Sequence, residues 1–511
     1  MFRKRIFSTL FVSLFLLSLS LLPALTGAAA SPQPPGTVIY NLYATDGFVT
    51  MADGTVVYIY GFIGGRQGVD MTYLDKAGLP VTIVGGPPAP TGGPITPTEQ
   101  PLAGNAQFPA PVIYATTDDI VEIRLKNLGV TQASAPNDPH TIHLHGLDVE
   151  AANDGVPETS VAAVPANAKN IGAGNVVVYM FAPDKPGTYM YHCHQEASNH
   201  VQMGMYGALV VYNPTDLAAA DGPGQGKGGN LHGWDYTKDY VLLLTEFDLQ
   251  QHKAEQRGGP FNPVNFKPTY WFINGLSFPN TVGAGLVGFN FNNWKSAHPG
   301  YDPLIVGSVG GGAGNPALAD KVLLRVINMG FQAQPMHMHG FHGKIIGSDQ
   351  RAWPWANQAG LTPSGEGMEK NTLLIGSGET YEWLIDFSQQ SLNSTYATTV
   401  QTRYYDPLNV ACVGAWAAAN PGKPVPVVNT PVENALKACP AIPDPFTPPF
   451  TYVGGETVGP IANQNDNTEL MTLVPATFTG QFFPFHNHDD YKATNNGLYP
   501  GGMFTMIVTT P

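Results

Sequence analysis

The segment His192-Cys193-His194, followed closely by His200 and Met205, gathers a thiol, imidazoles and a thioether in one short stretch. On an extended strand successive side chains point to opposite faces. Cys193 then looks one way while His192 and His194 look the other. A thiolate, imidazoles and a weak axial thioether form the donor set of a blue-copper electron-transfer centre. The two histidines on the reverse face are free to hold a different metal. One strand could therefore join a one-electron centre to a metal cluster, provided the chain supplies the remaining ligands.

It supplies them by repetition. His-x-His pairs occur at 143/145, 192/194, 337/339 and 486/488. Spacing of two puts both imidazoles of a pair on one strand face. A single pair could be chance or a satisfied core pair, but four at matching places point to a bound group. Nitrogen donors favour copper over calcium or magnesium, so eight imidazoles suit a group of copper ions. His232, His252 and His298 stand apart from these clusters and are expected at the surface.

The elements that must position these residues also come twice. Asp119 to Gly129 reads DIVEIRLKNLG and Asp320 to Gly330 reads DKVLLRVINMG; both are strand-like and end in an Asn-x-Gly turn signal. Each precedes a histidine cluster, HTIHLHG at 140–146 and QPMHMHGFHG at 334–343. Each half closes with a second cluster, MYHCH and PFHNH, leading into YGALVVYNP at 206–214 and MFTMIVTTP at 503–511. The chain thus reads as two copies of one β unit, residues 36–214 and 236–511. The stretch 215–235 is the expected linker, Gly-rich from Asp221 to Gly233. From His145 to His192 is 47 residues and from His339 to His486 is 147, so the second copy carries an insertion of roughly 100 residues.

Composition agrees with this reading. Charged residues make up only 12% of the chain against 58 Gly and 46 Pro, which suits a loop-rich β protein. There is no sustained helical periodicity, and the short turn-bounded elements suggest antiparallel sandwiches. The Gly-rich runs at 85–93 and 307–314 lack a following Lys-Ser/Thr, which argues against a phosphate loop and for surface loops. Arg3, Lys4 and Arg5, an apolar run from Ile6 to Leu22, and Ala28-Ala29-Ala30 form a signal peptide over residues 1–30, cleaved near Ala30. An uncleaved anchor is the competing reading of that run. The expected product is secreted or periplasmic, with no membrane segment after cleavage. A formal charge of −14 argues against nucleic acid or anionic membrane as partner. In an exported chain Cys412 and Cys439 are expected to pair, leaving Cys193 for metal.

The halves differ in one respect. His140, three residues before His143, completes a His₂Cys set with an axial Met in the first half. Gln334 stands at the matching place in the second half, and Asn487 stands where Cys193 would be. The second half contributes imidazoles only.

The motifs HTIHLHG, HCH-x₅-H-x₃-GM, PMHMHG and the terminal HNH resemble those of multicopper oxidases of the cupredoxin superfamily, over essentially the whole mature chain. The resemblance implies an all-β fold of two cupredoxin-like Greek-key β-sandwich domains, the second with long insertions. It implies four copper ions per chain. Type 1 copper would take His140, Cys193, His200 and Met205, and type 2 copper His143 and His337. The type 3 pair would take His145, His192, His194, His339, His486 and His488. Three-domain laccases carry the thiolate motif in the last domain. This chain has it first, as in two-domain members whose trinuclear site forms between subunits of a homotrimer, the expected assembly here; an insertion acting as a spacer between the domains would instead allow a monomer. The implied reaction is one-electron oxidation of a reductant (a phenol, Mn(II), Fe(II) or Cu(I)) coupled to four-electron reduction of O₂ to water. Asp154 resembles the acidic residue that follows the first His-x-His in laccases and is a candidate proton donor, as are Glu196 and Asp489-Asp490. Their alternative role is to cap loops or orient ligands. Two other readings are a copper nitrite reductase, which needs only three histidines at its second copper, and a non-catalytic periplasmic copper-binding or electron-transfer protein.

Overall fold

The computed structural model describes residues 36–283, 289–310, 315–354, 367–390 and 481–510. The leader and the Cys412–Cys439 loop lie outside the described residues. The described residues from Thr37 on form one compact unit.

Strands arise where β-branched and aromatic residues run together. Val56–Arg66 (VVYIYGFIGGR) is buried along most of its length because both of its faces are covered. In the first half one sheet orders its strands Val56–Arg66, Thr37–Thr50, Ile120–Gly129, Val176–Phe181. Its partner orders Ile113–Thr116, Tyr206–Tyr212, Gly187–His192, His143–His145.

The second half repeats these ladders. Thr37–Thr50 runs parallel to Ile120–Gly129, and Lys238–Phe247 runs parallel to Lys321–Asn328. Ile113–Thr116 lies parallel to Tyr206–Tyr212, as Ile305–Ser308 does to Phe504–Thr510. The histidine strands share one register: His143 faces His192 across one ladder, and His337 faces His486 across the other. Each sandwich sheet therefore holds a parallel pair, where turn-bounded segments alone suggested antiparallel pairing throughout. The strands in each parallel pair are far apart in sequence, so local turn signals carry no trace of the pairing.

Other departures are local. Within the expected linker the chain forms a two-stranded ribbon, Gly229–Leu231 with Trp234–Tyr236. Gly307 and Ser308 end a strand instead of lying in a loop. The three isolated histidines are not surface residues. His252 is 1% and His298 7% exposed, and the His232 side chain is 8% exposed. His252 sits on the helix Leu249–Gln256, which packs on the first-half strand Val56–Arg66. Its Nδ1 lies 2.6 Å from the Tyr58 carbonyl and its Nε2 3.0 Å from that of Gln202. His298 stacks on Trp294.

Apolar packing follows the same plan. One cluster fills the first sandwich and includes Ile142, Leu144, Cys193 and Met205; its counterpart in the second includes Met336, Met338, Phe485 and Met503. A third, with Phe108, Tyr206, Leu243, Phe247, Phe272 and Ile327, joins the halves.

Candidate metal centres

Cys193 follows the last residue of the strand Gly187–His192, and alternation sends its side chain into the first core. There Cys193 Sγ lies 3.7 Å from His140 Nδ1 and 3.4 Å from His200 Nδ1, and the two Nδ1 atoms are 3.3 Å apart. The centre of a triangle with these sides lies roughly 2 Å from each donor, a metal–nitrogen bond length. His140 and His200 are buried. Met205 is fully buried in the same cluster, its carbonyl accepting the Cys193 N–H at 3.0 Å and its N–H donating to the His200 carbonyl at 3.1 Å. The residues fit a His₂Cys site with a methionine beside it.

On the reverse face the rings of His143, His145, His192 and His194 form a quartet. His143 contacts the other three, with centroids at 5.6, 5.0 and 5.2 Å. In the second half His337 contacts His339, His486 and His488 at 4.8, 5.6 and 5.0 Å. Among the described residues no ring contact joins one quartet to the other. The first quartet is half-buried to buried, whereas His339 and His488 of the second are exposed.

Backbone carbonyls set the tautomers. A carbonyl can only accept, so a ring nitrogen facing one carries the proton and leaves the other nitrogen's lone pair for a metal. His192 Nδ1 donates to the Cys193 carbonyl at 2.9 Å and His486 Nδ1 to the Asn487 carbonyl at 2.8 Å. His143 Nδ1 donates to the Asp154 carbonyl at 2.7 Å, and the Asp154 carboxylate is 3.1 Å away. His337 Nδ1 faces the Asn371 carbonyl and Thr372 Oγ1. Burial pulls His192 down to about 3 and His486 to about 4, and it lowers His140 and His145 as well. These imidazoles are therefore neutral, as ligands must be, across the physiological range.

The second half fills the place of the donor triangle with hydrogen bonds. Asn487 Nδ2 donates to Gln334 Oε1 at 2.7 Å and lies 3.5 Å from Met503 Sδ. Met503 occupies the Met205 position, since the Asn487 N–H donates to its carbonyl at 2.9 Å just as Cys193 does to Met205. Gln334 Nε2 in turn donates to Glu246 Oε2 at 3.0 Å. Glu246 also accepts from the Phe331 and Gln332 N–H groups, as Asp46 accepts from those of Thr131 and Gln132 in the first half. The extra methylene of Glu246 lets it reach Gln334 as well.

Of the sequence-derived acids, Asp154 lies against His143, and Asp489 caps the helix Asp490–Ala493 through the Tyr491 N–H. Glu196 lies beside His200 together with Asp138, which no motif had singled out. Met503 was also unforeseen. Cys193 to Met205 spans 12 positions and Asn487 to Met503 spans 16, so matching by spacing missed it. The shared strand register was the signal that could have found it.

A family model described as multicopper oxidase matches residues 88–215, a stretch that holds the donor triangle and the first quartet. The L-ascorbate oxidase of Cucumis sativus is 29% identical over 175 residues, 34% of this chain and 25% of that protein. Copper resistance protein A of Pseudomonas syringae pv. tomato is 33% identical over 146 residues, 29% of this chain and 19% of that protein. The matched part thus spans about a quarter or less of these relatives' length. Among solved structures, the blue copper oxidase from Nitrosomonas europaea aligns with a TM-score of 0.47 at 19% identity, covering 92% of this chain and 85% of that one. Residues 88–215 are thus similar to a multicopper oxidase domain, and the described strands around them build β-sandwich sheets.

Proposed function

We propose that this chain is a copper-dependent oxidase that takes electrons one at a time at the Cys193 site and delivers them to dioxygen. When bound, copper supplies one-electron storage at His140, Cys193, His200 and Met205 and four-electron reduction of O₂ to water at a trinuclear group. That group would draw on His143 and His337 for type 2 copper and on His145, His192, His194, His339, His486 and His488 for the type 3 pair, giving four ions per chain. Cys193 is bonded through the backbone to both His192 and His194, so the covalent route from the buried thiolate to the first quartet is as short as a protein chain allows. Asp154 holds the His143 proton on Nδ1, and its carboxylate is near enough to the quartet to pass protons to it.

The observation that carries this reading is the pair of matching imidazole quartets, one half-enclosed and one open to solvent. Each offers half of an eight-histidine shell. Exposed Phe331, Leu374, Tyr491 and Leu498 lie near the second quartet in sequence or on paired strands, as an interface would require. We take the assembly to be a homotrimer in which the second quartet of one chain meets the first quartet of another. No helix among the described residues is long and apolar enough to cross a membrane. Export to the periplasm or beyond, with cleavage near Ala30, completes the proposal.

The test is oxygen uptake by copper-loaded protein with a phenol, Mn(II), Fe(II) or Cu(I), with nitrite as an alternative acceptor. Oxygen consumption and about four coppers per chain are expected. No consumption with any reductant would overturn the oxidase reading, and about two coppers with nitrite turnover would favour a nitrite reductase. Light scattering should give three times the chain mass; a monomer would refute the trimer.

A further inference from the structure

Where the two halves meet, the described residues line a cavity of about 550 Å³. Phe48 and Phe108 come from the first half, and Leu276, Phe289 and Trp294 from the second. None of the lining residues belongs to the donor triangle or to either quartet. The size and the largely apolar wall are those of a small-molecule site.

Most polar side chains along the wall already have partners. Gln107 donates from Nε2 to the Ala297 carbonyl at 2.8 Å and accepts at Oε1 from the Gly64 N–H at 3.1 Å. Asp75 accepts from the Ala77 and Leu79 N–H groups, and Asn290 from that of Asn293. Two side chains differ. Asn280 is 3% exposed and its Oδ1 has no hydrogen-bond partner; His298 is 7% exposed and its Nε2 has none. His298 Nδ1 donates to the Trp294 carbonyl at 2.9 Å, so it holds the ring proton and Nε2 offers a lone pair. Burial pulls His298 down to about 4, which keeps the ring neutral. The buried floor thus presents two acceptors that lack donors, an arrangement that disfavours the empty cavity. Lys76 also lines the cavity, is exposed, and is ion-paired with no carboxylate among the described residues.

We propose that this cavity binds a small aromatic carboxylic acid that also carries a hydroxyl group. The ring lies among the aromatic walls, the hydroxyl donates to the floor acceptors of Asn280 and His298, and the carboxylate meets Lys76 at the rim. A hydroxyl suits the floor better than an ammonium group, because no carboxylate waits there to compensate a buried charge. The site is separate from the metal centres and does not depend on the oxidase reading. Lys76 belongs to the first half and Asn280 and His298 to the second, so the bound acid bridges the halves and stabilises the folded chain by mass action.

The test is calorimetric titration of the copper-loaded full-length protein with 4-(hydroxymethyl)benzoate, an aromatic acid whose alcohol is not a phenol and so is no one-electron reductant. Two analogues each delete one group: 4-methylbenzoate lacks the hydroxyl, and 4-methylbenzyl alcohol lacks the carboxylate. Saturable binding is expected, about tenfold weaker without the hydroxyl and about two- to fivefold weaker without the carboxylate. The thermal midpoint should rise with the acid present. Asn280→Leu keeps the volume and removes an acceptor, so it should erase most of the preference for the hydroxyl and leave that for the carboxylate. Lys76→Met, a change at an exposed position, should do the reverse. No saturable binding by the parent protein, or equal affinity for all three compounds, overturns the site. Binding that neither variant alters places the acid elsewhere, at copper for example, and overturns it too.

Discussion

Asn487 donates from Nδ2 to Gln334 Oε1 at 2.7 Å, and this bond closes in the second half the space that Cys193 and His140 hold ready for a metal in the first. Both residues are fully buried, so neither can turn to water if the other is lost. Asn487→Ala should therefore cost about 1–3 kcal/mol for the stranded acceptor, seen as a lower denaturant midpoint. The first-half absorption should be unaffected.

Cys193→Ser removes the only thiolate of the donor triangle. The blue absorption and oxygen uptake should vanish together, while the eight quartet histidines keep their copper by metal analysis. Retained turnover with a colourless protein would disprove the proposed path.

Asp154 contacts His143 through its carbonyl and its carboxylate, and only the second is a side-chain function. Asp154→Ala should lower copper retention at the quartet against a chelator, or turnover, by about tenfold, the lower end for loss of a group that orients a ligand. The Cys193-dependent colour should persist.

Burial pushes the Glu246 carboxyl from 4.5 up to about 7, against the donors that would lower it. A carboxyl raised in the folded state stabilises most where it is protonated. Its contribution is fully present below pH 4.5 and is lost as pH climbs through about 7. Denaturant midpoints should fall over that window, and Glu246→Gln should flatten the slope.

Sequence spacing alone displayed the four His-x-His pairs, the duplicated unit and the substitutions Gln334 and Asn487, because alternation along a strand and repetition along a chain are both one-dimensional patterns. What spacing concealed was three-dimensional. Met503 returns to Asn487 through a loop four positions longer than its counterpart. Asp138 and Glu196 are 58 positions apart in sequence yet come together beside His200 in space. Isolated polar residues such as His252 read as superficial in sequence because spacing carries no sign that its helix packs against the first half.

That helix, Leu249–Gln256, belongs to the second half but walls in the first. His252 bridges the carbonyls of Tyr58 and Gln202. Glu255 accepts from the hydroxyl of Tyr60, whose ring leans on His140 and His200. A fragment ending at residue 214 would lose this wall and expose the imidazoles that the thiolate needs dry. The two halves are not separable modules: the second completes the first, and a single-sandwich protein could not be cut from this chain without rebuilding that flank.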